Sequence, residues 1–205
     1  MRNYYFLIVY FLRILFRILF GFSVIGINNW KKDQGFIVAS NHQSYLDPFF
    51  VGSAAPVEMC YMAKKEIFSW PVLGFIAKNL NAFPTTRKGF DIGAIKHAKR
   101  MLKNYKPLLV FFEGTRSRDG KFLPVKRGVG LLSYINQVDI LPTYVHGSLN
   151  LKNAIFRSPA VTVKFGQMIS ISKYQDLDLP VKEIYTMISN DVMNSVKELK
   201  NSIIN

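Results

Sequence analysis

The chain has a single cysteine, Cys60, only three histidines and 13 acidic residues, and each shortage closes off a class of chemistry. One thiol excludes a disulfide framework and any zinc site built on cysteines, and it fits a reducing compartment. Cys60 lies in the apolar run 57–63 and reads as a small core residue. No cluster of His, Cys, Asp and Glu has metal-ligand spacing, and no G-x-S-x-G elbow offers a nucleophilic serine. Internal repeats and low-complexity linkers are absent as well. The shortage of acid leaves 27 Lys and Arg to dominate, for a net charge of +14 and a pI near 9.9. Such a balance points to an anionic partner: nucleic acid, an acidic membrane surface, or a phosphorylated substrate or carrier. No nucleic-acid-binding module is recognisable, and the distribution of apolar and aromatic residues favours a membrane.

What is present suffices for one domain with an appendage: 205 residues, 49% of them hydrophobic, enough to bury a full core. The appendage is residues 1–30. Its window 6–25 holds fifteen Leu, Ile, Val or Phe residues, worth about −7 kcal/mol in membrane insertion. Arg13 and Arg17 sit near the window's centre and cost about 5–7 kcal/mol, so the sum is close to zero and a clean span is not supported. No small-x-small cleavage site follows, which argues against a signal peptide. On a helix Arg2, Arg13 and Arg17 fall within about 60°. That basic stripe suggests an element lying in the interface with its arginines on lipid phosphates; a re-entrant hairpin broken near 21–26, or a helix buried against the domain, are the alternatives.

Residues 31–205 form the expected main domain. After the polar stretch 31–35, strand-like runs at 36–40, 57–63, 82–83, 108–112, 140–146 and 161–165 alternate with helical segments at 71–80, 91–104 and 128–136. From Pro180 an amphipathic helix places Val181, Ile184, Ile188, Val192, Leu199 and Ile203 on one face. The alternation predicts an α/β layered domain with a mixed, largely parallel sheet flanked by helices, preceded by the hydrophobic N-terminal segment.

Among the histidines, His97 lies in a basic helical stretch on what reads as its solvated face and is assigned no role, and His146 closes a strand and reads as structural. His42 differs because Asp47 follows in Asn-His-Gln-Ser-Tyr-Leu-Asp, residues 41–47. Five helical steps rotate about 140°, so the pair meets only if His42 sits on the turn leaving a strand and Asp47 in the first helical turn. Ser44 and Asp47 have capping-box spacing for a helix starting at Ser44, whereas Asp47 could instead cap a helix opened by Pro48. If the two side chains do meet, the carboxylate fixes the imidazole's tautomer and makes it a competent base for a substrate hydroxyl. A second constellation, Phe-Phe-Glu-Gly-Thr-Arg-Ser-Arg at 111–118, follows a strand. Gly114 permits a tight turn, Thr115 and Ser117 carry hydroxyls, and Arg116 can grip a phosphate.

These residues resemble the glycerolipid acyltransferase family, in particular its 1-acyl-glycerol-3-phosphate acyltransferases. Residues 41–47 are similar to the family's H-x4-D motif and 112–117 to its E-G-T-R-S motif. Between them, 63–68 (Ala-Lys-Lys-Glu-Ile-Phe) resembles an A-K-x-E-hydrophobic segment and 82–87 (Ala-Phe-Pro-Thr-Thr-Arg) a block ending in a substrate-binding arginine; 140–143 (Ile-Leu-Pro-Thr) resembles a proline-centred block. Two departures stand out: Thr86 precedes Arg87 where Asp is common, and Phe112 precedes Glu113 where proline is usual. The resemblance implies direct transfer, with His42, oriented by Asp47, deprotonating the acceptor hydroxyl as it attacks an acyl-CoA or acyl-carrier-protein thioester. It assigns the glycerol phosphate to Lys64, Arg87, Glu113, Gly114, Thr115 and Arg116. It implies no metal or organic cofactor beyond the coenzyme A or carrier protein of the donor. Membrane lipids are the expected partners and the cytoplasmic membrane face the expected location. Glycerol 3-phosphate, a lyso-ornithine lipid or another lysophospholipid are alternative acceptors, and a non-catalytic basic lipid-binding module is the alternative of another class.

Overall fold

A computed structural model describes residues 2–85, 91–155 and 160–204. Its centre is a seven-stranded sheet in the order β1-β7-β6-β2-β5-β3-β4. The strands are β1 (Ser23–Ile25), β2 (Ile37–Ser40), β3 (Cys60–Lys64), β4 (Ala82–Thr85), β5 (Leu108–Phe111), β6 (Ile140–His146) and β7 (Thr162–Phe165). Every neighbouring pair is parallel except β6 with β7, so the expected mixed, largely parallel sheet is what forms. The helices are α1 (Arg2–Phe20), α2 (Asp47–Ala54), α3 (Pro71–Asn79), α4 (Ile92–Lys103), α5 (Gly128–Asn136), α6 (Leu151–Ala154) and α7 (Val181–Ile204).

Alternation along the strands divides the core in two. Val38, Leu109, Leu141 and Val145 face one layer, formed by α1, α2 and the end of α3 through Tyr5, Phe16, Phe20, Phe50, Val51 and Leu80. Ile37, Ala39, Leu108 and Ile140 face the other, formed by α4, α5 and α7. In α4 the inward face is Ala94, Ala98 and Leu102, and Asp91 caps the helix by accepting from the Ala94 amide at 2.9 Å. In α7 it is Ile184, Ile188, Val192 and Val196, four residues apart, while Val181, expected on that face, is exposed. Gly130 lets α5 and α7 touch: a Cβ there would lie 2.1 Å from the Tyr185 carbonyl oxygen.

The N-terminal segment departs from expectation in two ways. Residues 23–25, within the apolar run, form β1 and pair with β7, so the sheet draws on both sides of the polar stretch at 31–35. The arginines of α1 also do not face outward together. Arg13 is half-buried and donates from Nε to the Ser53 carbonyl at 2.6 Å and from Nη2 to the Ala55 carbonyl at 3.1 Å. It caps the C-terminal end of α2, where unpaired carbonyls and the helix dipole favour a cation. Arg17 is exposed. The inward stripe Tyr5, Val9, Phe16 and Phe20 lies beside Arg13, and the outward stripe is Tyr4, Leu7, Phe11, Ile14 and Ile18, all exposed and within about 80° of each other. The free side of α1 is therefore apolar rather than basic. No helix among the described residues is long and apolar enough to cross a membrane.

Candidate active site

Strands β2, β5, β3, β4 and β6 all end at one edge of the sheet, and the residues singled out in the sequence lie on the turns beyond them. The turn leaving β2 is pinned first by Asn41, which is fully buried. Its Nδ2 donates to the Val145 carbonyl at 3.1 Å and its Oδ1 accepts from the Val145 amide at 2.7 Å, clasping the turn onto β6. Sequence reasoning gave Asn41 no role; its position one residue before His42 is the signal.

His42 follows, its ring stacked on Phe111 with centroids 3.9 Å apart and planes 12° from parallel. Its Nδ1 lies 2.9 Å from Asp47 Oδ2. The same oxygen accepts from the amides of Gln43 at 2.6 Å and Ser44 at 2.7 Å. Asp47 is fully buried, and its bonds run backward into the turn rather than forward to the first amides of α2. Of the two readings of Asp47, cap or partner of His42, the geometry selects the partner. Helix α2 begins at Asp47, not at Ser44, whose Oγ accepts instead from the Leu46 amide at 3.2 Å. A carboxylate on Nδ1 fixes that nitrogen as the protonated one and leaves Nε2 as the basic position.

The 111–118 segment holds the same histidine by its backbone. Glu113 Oε1 accepts from the His42 amide at 3.1 Å, and the Ser117 amide donates to the His42 carbonyl at 2.8 Å. Glu113 Oε2 accepts from the Leu123 amide at 2.8 Å, so both carboxylate oxygens are engaged and the residue is only 1% exposed. Burial pushes its carboxyl above the ordinary range, against the pull of the two amides. Both oxygens of Glu113, a residue expected on the substrate, accept from buried backbone donors. Gly114 turns the chain at φ 70°, a left-handed conformation that favours glycine.

Thr115 is exposed, and Arg116 is half-buried with its guanidinium carbon 3.4 Å from the centroid of the exposed Tyr45 ring. Lys64 is exposed at the end of β3, level with Thr85 on β4. Only β5 separates β3 from β2, so Lys64 and His42 leave the same edge of the sheet two strands apart. Arg87 lies outside the described residues.

The other titratable groups sit apart from this pair. Cys60 is buried, its thiol pushed up to about 12 by desolvation. His97 stacks on Phe83 and His146 ends β6; burial lowers both, with Arg100 and Lys200 respectively adding to the effect. Among the described residues no group of His, Cys, Asp and Glu could hold a metal ion.

The chain is similar to known proteins. A family model described as Acyltransferase matches residues 21–146, which include β1 and every turn of the site. A 1-acyl-sn-glycerol-3-phosphate acyltransferase of Bacillus subtilis is 26% identical over 193 residues, covering 94% of each chain. One from Limnanthes douglasii is 33% identical over 86% of this chain and 65% of its own length. The crystal structure of PlsC, a 1-acyl-sn-glycerophosphate acyltransferase from Thermotoga maritima, superposes with a TM-score of 0.67 at 26% identity, covering 98% of this chain and 84% of that one. With the family model spanning more than half of its residues, this chain belongs to the acyltransferase family.

Proposed function

We propose that the protein transfers a fatty acyl group from acyl-CoA or acyl carrier protein to the free hydroxyl of 1-acyl-glycerol-3-phosphate, giving phosphatidic acid for phospholipid biosynthesis. The observation that carries this reading is the Asp47–His42 pair, 2.9 Å apart, on a turn whose backbone is held on both sides by the 113–117 segment. His42 Nε2 takes the proton of the acceptor hydroxyl as its oxygen attacks the thioester carbonyl. The C–O bond forms, the C–S bond breaks, and the imidazolium returns its proton to the leaving sulfur. Asp47 stabilises the imidazolium in between. Lys64, Arg87, Arg116, Thr115 and the Gly114 backbone bind the acceptor's phosphate, and Glu113 positions His42. The step balances in protons and bonds between side chain and substrates, so we assign no cofactor beyond the donor's own carrier.

The location we assign is the cytoplasmic membrane face, with α1 lying on the bilayer and not crossing it. Its outward stripe of Tyr4, Leu7, Phe11, Ile14 and Ile18 supports this, since an apolar helix face with no protein over it suits an acyl layer. The names of the relatives support the acceptor, as does a cationic turn beside the histidine.

Purified protein with labelled acyl-CoA and a panel of acceptors tests the reading. Phosphatidic acid from lysophosphatidic acid is the expected product, and preference for glycerol 3-phosphate or a lyso-ornithine lipid would move the acceptor. Failure to acylate any phosphate-bearing acceptor overturns the proposal. In Arg116→Ala and Lys64→Ala, loss of a charge-assisted contact worth about 1.5–3 kcal/mol lowers kcat/KM about 10- to 150-fold for lysophosphatidic acid. The loss for an uncharged monoacylglycerol is expected to be much smaller.

A further inference from the structure

Helix α3 carries a surface that neither the core nor the site uses. In Pro71–Asn79 only Lys78 and Asn79 are polar, so the helix is apolar nearly all round. Its inner side packs normally: Leu80 is buried in the core, Ile76 rests against it, and Gly74 sits so close to the preceding turn that a Cβ would lie 2.7 Å from the Phe68 carbonyl oxygen. The outer side holds Trp70, Val72 and Phe75, which are 61, 70 and 66% exposed. Val72 and Phe75 are three residues apart and share a face, with Trp70 at the helix entry. Single exposed apolar residues are ordinary on soluble proteins, but three large ones grouped on one short helix mark a contact surface.

We propose that this face of α3 is a second membrane-contact surface, seated in the acyl layer of an anionic bilayer beside α1. The proposal rests on the membrane reading given above and extends it to a part of the chain far from the N-terminus. Three observations select the occupant. First, α1 and α3 pack on the same side of the sheet, so their free faces lie on one side of the molecule. Second, exposed Lys64, Lys65 and Lys78 bracket the patch in sequence and Glu66 is the only acidic residue between them, a net positive flank to an apolar stretch on a chain of charge +14. Long lysine stems and an indole suit the boundary between head groups and chains. Third, Trp70 is six residues beyond Lys64, at the strand ends where the acceptor's phosphate is to bind. Contact here holds the mouth of the site at the leaflet, so a long-chain acceptor need only rise from its neighbours to reach His42.

The chain's two tryptophans make the test direct. Trp30 is buried against Phe36 and Phe165, whereas Trp70 is exposed, so a change in indole emission on binding reports Trp70. Full-length protein is mixed with vesicles of phosphatidylcholine alone or with equal phosphatidylglycerol, and Trp70→Phe provides the background. With the anionic vesicles the emission shifts to the blue, resists acrylamide and is quenched by lipids brominated on the chain; the shift is weaker on phosphatidylcholine and absent in Trp70→Phe. Val72→Glu with Phe75→Glu weakens vesicle binding about tenfold or more and leaves turnover of a soluble short-chain acceptor unchanged. Sedimentation with anionic vesicles while Trp70 stays accessible overturns this proposal and leaves α1 as the contact. Failure to sediment overturns both readings. Self-association without vesicles that Phe75→Glu abolishes, with no emission shift on lipid, overturns it in favour of a second copy of the chain.

Discussion

The turn at the end of β2 and the outward faces of α1 and α3 are built on opposite principles. At the turn, polar groups find partners within the chain: the His42 amide, carbonyl and Nδ1 are all engaged, Asn41 makes two bonds to Val145, and Glu113 makes two to amides. At the outward faces, Leu7, Phe11, Ile18, Trp70 and Phe75 are large, apolar and uncovered. The first region satisfies nearly all of its own polar groups, the buried Asp47 Oδ1 being the exception, since each buried donor or acceptor without a partner costs about 1–3 kcal/mol. The second is the surface that the proposals above give to the bilayer. Substitutions at the turn should therefore change chemistry or stability in any medium, whereas substitutions on the outward faces should matter only when lipid is present.

The largest effect belongs to the pair itself. His42→Ala is expected to lower kcat by about 10²–10⁴ while the melting temperature stays near that of the parent. Asp47→Asn keeps an oxygen for the Gln43 and Ser44 amides but loses the charge that stabilises the imidazolium, so kcat should fall by up to about 10⁴. Single-turnover rates with soluble acceptor measure both, without a membrane. Unimpaired turnover in His42→Ala would remove the mechanism.

Glu113→Gln comes next and acts through stability. An amide cannot accept from both the His42 and Leu123 amides, so one buried N–H loses its partner at a cost of about 1–3 kcal/mol. At this chain length that lowers Tm by roughly 2–4 °C per kcal/mol, read by calorimetry. If Glu113 instead bound substrate, KM for the acceptor would rise with Tm unchanged.

Much of the first region was legible in the sequence. Periodicity located most of the strands and helices of residues 36–204, with β3 starting three residues later than its apolar run and α6 not anticipated, because burial on a sheet leaves an apolar pattern wherever it occurs. The spacing of His42 and Asp47 fixed where each had to sit for them to meet, and the structure puts them there. The bonds of Glu113 could not be read because a motif records which residue is needed and not which way it faces. Its partners are backbone amides, which have no sequence signature. Strand β1 was hidden for a related reason: Ser23–Ile25 continues an apolar run, and only pairing with β7, nearly 140 residues away, separates it from the helix before it. The inward turn of Arg13 was equally invisible, since its acceptors are carbonyls at the end of α2.

Arg13 and Arg17 sharpen the comparison because they share a helix and belong to different regions. Arg13→Leu strips the α2 terminus of its cap and should cost about 1–2 kcal/mol in solution, with no lipid present. Arg17 is exposed, and Arg17→Leu should change solution stability by no more than about 0.5 kcal/mol while altering affinity for anionic vesicles. Equal thermal shifts in the two variants would show that the Arg13 bonds contribute nothing.

The smallest effect is expected at His97, which locally looks much like His42. Both rings stack on a phenylalanine, His42 on Phe111 at 3.9 Å and His97 on Phe83 at 4.3 Å, and both engage Nδ1. The partners differ: a buried carboxylate 2.9 Å from His42, and the Arg100 guanidinium 3.0 Å from His97. A guanidinium can only donate, so Nδ1 of His97 must accept, and the charged imidazolium is disfavoured there. Burial and Arg100 together hold His97 below the ordinary imidazole value of 6.5. A depressed folded-state pKa means that the stabilising contribution is present above the unfolded value and is lost as pH falls through the folded one. His97→Phe keeps the ring and cannot be protonated, so its Tm should fall less than the parent's between pH 7 and pH 5. Its kcat should match the parent's, because the nitrogen it removes faces a cation on the surface of α4 and not a hydroxyl at the strand ends. A loss of turnover comparable to that of His42→Ala would mean that stacking on an aromatic ring, and not the carboxylate, selects the base.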